Sequence, residues 1–333
     1  RTNTNATFLQ NINVGVAITA GKLGIGFTDN NVKVGNTALD SLTTGTHNTA
    51  VGHNALTANT TGTNGVAVGS EALDANTSGS SNTALGRLAL TKNTTASNNT
   101  AVGTQSQQEN TTGYSNSTLG RQSLLSNTTG YQNNVIGESA GYNNTTGNNN
   151  NVMGRAAFYS NTTGSNNVAI GQAAMNANTT ADNNTAVGYA ALQLNTTGGA
   201  NVAVGYAALD ANTTQSYITA VGSYALTQNT TGDKCAAFGS GSLQSNTTGG
   251  YNTGCGSYSL SANTTASYNT AVGYNSLLSN TTGDYNTAVG SAALDANTTG
   301  IRNIAVGSDA LGANTEGDRN VAIGYYALFT NTT

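Results

Sequence analysis

A glycine recurs every 17 residues between Gly35 and Gly324, at 18 successive positions and without one insertion or deletion. The unit between these glycines is a single repeated pattern, of which residues 283–299, GDYNTAVGSAALDANTT, are a regular copy. A unit of this size cannot bury a core alone and must stack on its neighbours. The constant length also indicates that each unit is hydrogen-bonded to the next, because a slip of one residue would turn its inward side chains outward.

These features predict an all-β fold, a β-solenoid (β-roll) of about 18 coils with 17 residues per coil. At about 4.8 Å between neighbouring coils, such a stack forms a rod on the order of 86 Å long. We number positions within a coil from the recurring glycine, which is position 0, so that position 16 immediately precedes the next glycine.

Positions 14 to 16 form the predicted strand of each coil. Position 16 is apolar in all 18 units, as in Val51 and Leu85, and position 14 is Thr or Val in most. Because residues two apart share one face of a strand, we expect both positions to face the core. Position 15 is nearly always small, as in Ala50, and is expected to face away from the core against a close neighbour.

A second apolar column lies at position 4, which is Leu, Met or Phe in 16 of 18 units. The exceptions are Gln107 and Gly141. The surrounding segment fits either a second strand or a short helical turn in each coil.

The repeat is least regular in two zones, at about 104–159 and 215–256. Gln107 occupies an apolar position in the first zone, and Gln215 and Cys235 replace the usual residues in the second. These departures reflect either sequence drift or a binding site.

Proline is absent from all 333 residues, and charged residues make up only 7% of the chain. Because proline lacks the N–H that interior strands donate, its absence fits a backbone engaged in ladders. A Gly- and Asn-rich composition is also compatible with disorder, but the regular apolar columns favour an ordered solenoid. We therefore divide the chain into a non-repeating β segment, 1–34, and a repeat solenoid, 35–333.

The two ends of the predicted solenoid are candidate contact surfaces. Residues 8–19 and 23–27 have β-type patterns, and the segment that contains them either caps the first coil or docks onto a neighbouring molecule. Thr333 completes a regular unit without a cap, so we expect further chain or another subunit to cover the last coil. Head-to-tail contacts that do not close generate filaments.

Charge and composition argue against several functional classes. The net charge is −4 and the ten basic residues do not cluster, so no nucleic-acid partner is expected. No run of about 18 apolar residues exists, so no membrane span is expected. The two histidines, His47 and His53, have no cysteine nearby, and the 14 carboxylates are scattered. The sequence therefore predicts no metal, no cofactor and no enzymatic activity.

The chain contains two cysteines, at positions 13 and 16 of their coils. Cys235 and Cys255 are out of register and on opposite strand faces, so a disulfide is not expected. Cys255 is interpreted as a small core residue.

Asn-Thr-Thr closes nearly every coil, with Asn at position 7 in 17 of 18 units. The tripeptide is an N-glycosylation acceptor, but acceptors in successive coils would lie only about 5 Å apart. We therefore interpret the column as a ladder of hydrogen-bonded amides, with members such as Asn59, Asn76, Asn93, Asn195 and Asn297. The candidate glycosylation sites are the acceptors outside this phase, namely Asn5, Asn98, Asn116, Asn143 and Asn183.

Threonine and tyrosine columns are candidate binding surfaces. Position 8 is Thr in all 18 units and position 9 in 16. Ice-binding solenoids present Thr columns two residues apart, whereas sequence neighbours point to opposite sides of an extended chain. Tyr recurs at position 12 (Tyr217, Tyr251, Tyr268, Tyr285) and at position 1 (Tyr189, Tyr206, Tyr274, Tyr325). These columns either contact sugars and partner surfaces or brace the coil by stacking.

The units at 269–273 (NTAVG) and 320–324 (NVAIG) resemble the Asn-Ser-Val-Ala-Ile-Gly-type repeats of trimeric autotransporter adhesin heads. The longer form, with Ala-Leu-x-x-Asn-Thr-Thr-Gly, is similar to repeats of bacterial and phage tail-fibre-like surface proteins. The resemblance covers about 300 of 333 residues. It implies a β-roll, often trimeric, in an extracellular fibre or adhesin.

The sequence thus predicts a non-enzymatic structural subunit of an extracellular, cell-surface or virion fibre or adhesin. Its expected partner is itself, as a head-to-tail filament or a trimer. The alternative is a surface-binding module, a β-solenoid that binds glycans or ice.

Overall fold

The computed structural model describes residues 30–332, which form a β-solenoid with one three-residue strand in each coil. The strands are β1 Val32–Val34, β2 Thr49–Val51, β3 Val66–Val68, β4 Thr83–Leu85, β5 Thr100–Val102, β6 Ser117–Leu119, β7 Asn134–Ile136, β8 Asn151–Met153, β9 Val168–Ile170, β10 Thr185–Val187, β11 Val202–Val204, β12 Thr219–Val221, β13 Ala236–Phe238, β14 Thr253–Cys255, β15 Thr270–Val272, β16 Thr287–Val289, β17 Ile304–Val306 and β18 Val321–Ile323.

Each strand pairs in parallel with the strands of the coils before and after it, always in the same register. Thr49 lies opposite Val66, and Ala50 lies opposite Ala67. The same offset of one unit holds at the pairs that follow, through Ile304 opposite Val321. The 17-residue period is therefore the length of one coil, and the predicted all-β solenoid is confirmed.

The face of each strand that points inward is position 15, and not positions 14 and 16 as predicted. Ala50 and its equivalents at position 15 of β2–β18 are buried, whereas positions 14 and 16 are exposed or half-buried. A Cβ added at Gly254, the position-15 residue of β14, would contact the side chains of Ser242 and Ser259 at position 3. The space between the strand and the turn is therefore narrow, which explains why position 15 is Ala in most coils and no larger than Val in β2–β18. The prediction that positions 14 and 16 line the core was wrong.

The leucines at position 4 fill the rest of the interior. Leu56, Leu73 and most of their equivalents are almost fully buried between neighbouring coils. Leu328, in the last coil described, is 53% exposed. The contrast shows that a coil needs its following neighbour to cover its apolar layer.

One polar layer divides the apolar interior into two runs. Gln107 replaces the leucine of its coil, and its Nε2 donates to Thr100 O at 2.9 Å and to Thr118 Oγ1 at 3.0 Å. Ser106 Oγ also contacts Ser123 Oγ at 3.0 Å. Hydrogen bonds between side chains therefore replace apolar packing at this layer, although Gln107 Oε1 is buried without a partner.

The turn after each strand is not helical. Asn54 and Leu56, at positions 2 and 4, have φ values of 56° and 52°, and equivalent residues in the other coils behave alike. A right-handed helix excludes such residues, so the helical-turn alternative was wrong. The left-handed conformation costs about 1–2 kcal/mol per residue. Coil-to-coil bonds such as Leu56 N to Ala72 O, 3.0 Å, offset that cost.

The recurring glycine is required by both conformation and space. Gly188 has a φ of +138°, and a Cβ there would lie under 3.0 Å from the carbonyl group of Gly205 in the next coil. The other position-0 glycines have φ values between +124° and +145°. An L-residue would be strained here and would also push the coils apart.

The solenoid begins earlier than the predicted boundary at residue 35. Val32–Val34 is its first described strand, and Asn31 Oδ1 accepts a hydrogen bond from Asn48 N at 2.7 Å. The predicted strands at 8–19 and 23–27 lie outside the described residues. Residues 30–332 contain no helix that could cross a bilayer.

Candidate functional site

Position-7 asparagines form a continuous column of buried amides over most of the solenoid. Asn76 Nδ2 donates to Asn59 Oδ1 at 2.9 Å and to Gly79 O of its own coil at 3.0 Å. Asn93 Nδ2 donates to Asn76 Oδ1 at 2.9 Å in the same way. The predicted ladder members Asn59, Asn76, Asn93, Asn195 and Asn297 all lie in this column and are buried. Each of these members except Asn59 uses both amide hydrogens, which leaves no free nitrogen for a glycan. Asn59 Nδ2 donates once, to Gly62 O at 3.0 Å.

A second amide column at position 13 was not anticipated. Asn48 Oδ1 accepts from Gly65 N at 2.8 Å, and Asn48 Nδ2 donates to Gly62 O at 2.9 Å. The sequence signal was the frequent Asn at position 13. This column ties the residues before each strand to the next coil. The two columns lie next to each other, because Asn48 Nδ2 and Asn59 Nδ2 both donate to Gly62 O.

The candidate glycosylation sites differ in accessibility. Asn98 and Asn183 are exposed, and Asn143 is half-buried. Asn116 is buried in the position-13 column, where its Nδ2 donates to Gly130 O at 2.8 Å. Asn116 is therefore not an acceptor in the folded chain, which corrects that prediction. Asn5 lies outside the described residues.

The second irregular zone interrupts both amide columns. Ile218 and Cys235 replace Asn at position 13 in successive coils. In the position-7 column, Asn212 Oδ1 is buried without a hydrogen-bond partner, and no bond joins it to Asn229 in the next coil. Gln215, at position 10 of this coil, stands where most coils have glycine. Asp210 Oδ1 of the same coil is also buried without a partner, so this coil holds two of the three such side-chain atoms in residues 30–332.

The two cysteines occupy different environments, and both are free thiols. Cys235 is buried, with Sγ 3.3 Å from Gly249 O, and burial raises the pKa of its thiol to about 11. Cys255 is exposed on the outer side of β14. Its interpretation as a core residue was wrong, because position 16 faces outward.

The position-8 threonines bond to the following coil and are not a free hydroxyl array. Thr60 Oγ1 donates to Thr77 O at 3.0 Å, and Thr281 Oγ1 donates to Thr298 O at 3.0 Å. The position-9 threonines, such as Thr61, are exposed but stand as a single column. These two columns therefore do not form the paired array that ice binding requires.

The position-12 tyrosines stack on one another along the rod. The ring centroids of Tyr251, Tyr268 and Tyr285 are 4.9 Å apart with nearly parallel planes. Lys234 Nζ lies 5.1 Å from the Tyr251 ring, and the Arg302 guanidinium lies 5.8 Å from the Tyr285 ring. Ring faces are covered by neighbouring rings and cations, so the column presents ring edges to solvent and braces the coils.

The outward positions 14 and 16 of strands β1–β18 together form a surface that we call the outer strand face. Leu119, Ile136, Met153 and Ile170, at position 16 of successive coils, are 52%, 42%, 48% and 38% exposed. Strands β2–β18 contain no charged residue. At about 4.8 Å per coil and about 3.3 Å per residue, the face measures roughly 86 by 10 Å, or about 860 Å².

Within residues 30–332, no candidate metal site accompanies this face. Across residues 30–332, no group of three or more His, Cys, Asp or Glu side chains is placed to hold a metal ion. His47 and His53 are both exposed, and His47 contacts Asn30 Nδ2 at 3.4 Å and Thr46 Oγ1 at 3.1 Å. The outer strand face is therefore the strongest candidate functional surface of the described chain.

Comparison of the chain with protein-family models and with curated proteins returned no match. The candidate site consequently rests on the geometry described above.

Proposed function

We propose that the chain is a non-enzymatic structural subunit of an extracellular, cell-surface or virion fibre or adhesin, and that it assembles with copies of itself. The observation that carries the proposal is the unbroken parallel register of strands β1–β18. Every strand pair repeats the same register, which makes the solenoid an elongated and stiff element.

End-to-end growth would repeat contacts that already exist inside the chain. The upper side of each coil is complementary to the lower side of the next, because the coils share one geometry. A heterologous contact of this kind that does not close produces a filament. A trimer that brings three rods together is the alternative assembly, and it is the one that the resemblance to adhesin heads implies.

The test is negative-stain electron microscopy of the purified protein over a range of concentrations. The proposal predicts straight rods at least about 80 Å long that join end to end or side by side as concentration rises. Compact particles, or rods that stay single at every concentration, would reject it.

A surface-binding module is the second candidate, and the outer strand face provides the observation in its favour. Thr49 and Val51 project from the same side of β2, and several other coils repeat this Thr-Ala-Val pattern. Thr occupies position 14 in eight of the 18 strands and stands beside an apolar column, so the face matches in part the two Thr columns of ice-binding solenoids. Thermal hysteresis in a freezing assay would support this candidate, and its absence would remove it.

Surface glycans are the other ligand of this second candidate. Tyr217 at position 12 is 71% exposed, and the remaining tyrosines of that column offer ring edges. Specific binding on a glycan array that is lost in Tyr217→Ala would support a glycan-binding role. An array without signal would remove it.

A further inference from the structure

We propose that two copies of this chain pair side by side through their outer strand faces, with the rods parallel and equivalent coils at the same height. The inference deepens the proposed structural function, on which it rests, by assigning the lateral contact and its geometry.

The composition of the outer strand face fits a protein–protein contact. Its position-16 column is apolar from Val34 to Ile323, and a shallow depression lies among Ile136, Met153 and Ile170 of this column and Asn134 and Asn151 of the position-14 column. Polar residues border it, with Arg121 and Glu138 at position 1 and Asn149 at position 12. An apolar centre with a polar rim is the anatomy of an interface.

The area of the face matches what a stable dimer buries. A specific interface buries about 800 Å² on each partner, and the outer strand face offers about 860 Å² from its dimensions. The face has no net charge to repel a second copy, because β2–β18 contain no charged side chain. A second copy of the chain also supplies a face of the same length and the same spacing between coils.

The two columns determine how two such faces fit together. Positions 14 and 16 form two ridges about 6.6 Å apart, and the groove between them lies above the inward position-15 alanine. A two-fold axis parallel to the rods places the apolar ridge of each copy in the groove of the other. An axis perpendicular to the rods sets ridge against ridge, which prevents the interdigitation of well-packed sheets.

Parallel pairing fixes the distance between Cys255 of one copy and Cys255 of the other. Equivalent coils face each other across the axis, so Cys255 of each copy lies opposite the same residue of its partner. With sheets about 10 Å apart, the two thiols are within reach of a short bismaleimide crosslinker. Antiparallel rods would place Cys255 many coils away from its counterpart.

The first test measures mass by sedimentation velocity over a concentration series. We expect a dimer that dissociates at least tenfold more readily in the double variant Ile136→Lys/Met153→Lys, because the introduced charges would face each other. The matched control is Thr129→Lys/Thr146→Lys, which adds the same charges to the exposed position-9 column of the same coils. Circular dichroism should show both variants folded, because all four positions are already solvent-exposed.

The second test is crosslinking through Cys255 with the short bismaleimide. We expect a covalent dimer from the native chain, and only collisional background from Cys255→Ser/Thr265→Cys, whose thiol lies on a different wall. Dimers that do not crosslink, equal crosslinking in both proteins, or a trimeric mass would overturn the proposal. If the chain assembles but the outer-face lysine variant assembles equally well, the pairing surface is wrong while the fibre proposal stands. If the chain stays single at every concentration, both proposals fail.

Discussion

Replacing Gln215 with glycine is expected to close a gap between two coils. At position 10, a Cβ added to most of the glycines would lie under 3.0 Å from the position-10 carbonyl of the next coil. Two residues before position 10, the backbone N–H of position 8 donates to the position-8 carbonyl of the next coil. This bond is 2.8 Å long in the coil with Gly79 and 3.2 Å in the coil with Ala96, and it is absent in the coil with Gln215. The Gln215 side chain therefore holds this corner open, and the unpaired Asn212 Oδ1 is a result.

The expected gain follows from the hydrogen bonds that the substitution restores. Pairing a buried acceptor such as Asn212 Oδ1 is worth about 1–3 kcal/mol. Introducing glycine costs about 0.4–1 kcal/mol through the entropy of the unfolded chain. We therefore expect Gln215→Gly to stabilise the junction by about 1–2 kcal/mol, which corresponds to roughly a tenfold slower local opening.

Residue-resolved amide hydrogen exchange is the appropriate assay, because long repeat arrays do not unfold in two states. In the native chain, the Thr213 amide should exchange much faster than the Thr196 amide, which donates to Thr213 O at 2.7 Å. Gln215→Gly should slow the exchange of Thr213. The matched reverse variant, Gly147→Gln, should accelerate exchange at Thr145, whose N–H bonds to Thr162 O at 2.8 Å. Equal protection of Thr213 and Thr196 in the native chain would show that Gln215 opens no gap between these coils.

Three further substitutions test separate parts of the coil. Gly188→Ala should destabilise the chain by at least about 2 kcal/mol through backbone strain and overlap with the next coil, and a loss below about 0.5 kcal/mol in denaturant titrations would contradict this. Asn161→Ala should cost about 2–4 kcal/mol by leaving buried polar groups unpaired, whereas the exposed control Thr163→Ala should change stability by less than about 0.5 kcal/mol. The raised pKa of Cys235 means that the folded chain holds its proton more tightly, so stability should be intact below pH 9.0 and fall as pH rises towards about 11. The free energy of unfolding of Cys235→Ala should fall by up to about 2.7 kcal/mol less than that of the native chain over this pH range. Identical pH dependence in the two proteins would contradict the raised pKa of Cys235.

The period and the stacking could be predicted from the sequence, because an invariant spacing leaves only one way for identical coils to pair. The position-4 leucines were also placed correctly, since a large apolar residue in a short unit must be covered by the neighbouring coil. The prediction for the strand was wrong, because it placed positions 14 and 16 inside and position 15 outside. The prediction assumed that the larger apolar residues face the interior, whereas the interior beside the strand has room only for residues such as Ala50.

The constancy of small residues at position 15 was the signal for this reversal. A position restricted to Ala in most coils indicates close packing, and the interior of a narrow coil is where packing is closest. The same reversal hid the candidate site, because a column that includes Ile136 and Met153 was assigned to the core. The left-handed turns could not be predicted, because Leu56 and its equivalents are poor residues for positive φ and adopt it only through coil-to-coil bonds.

Successive 17-residue units are expected to stack at a constant rise along the rod. Spin labels at Thr61, Thr163 and Thr265, all exposed at position 9 and six coils apart, test it by pulsed electron–electron double resonance in a Cys255→Ser background. At about 4.8 Å per coil, we expect about 29 Å between neighbouring pairs and about 58 Å between the outer two. The stacked solenoid would be contradicted by distances that do not grow in proportion to the number of coils. It would also be contradicted by a distance from Thr61 to Thr265 that is shorter than the sum of the two inner distances.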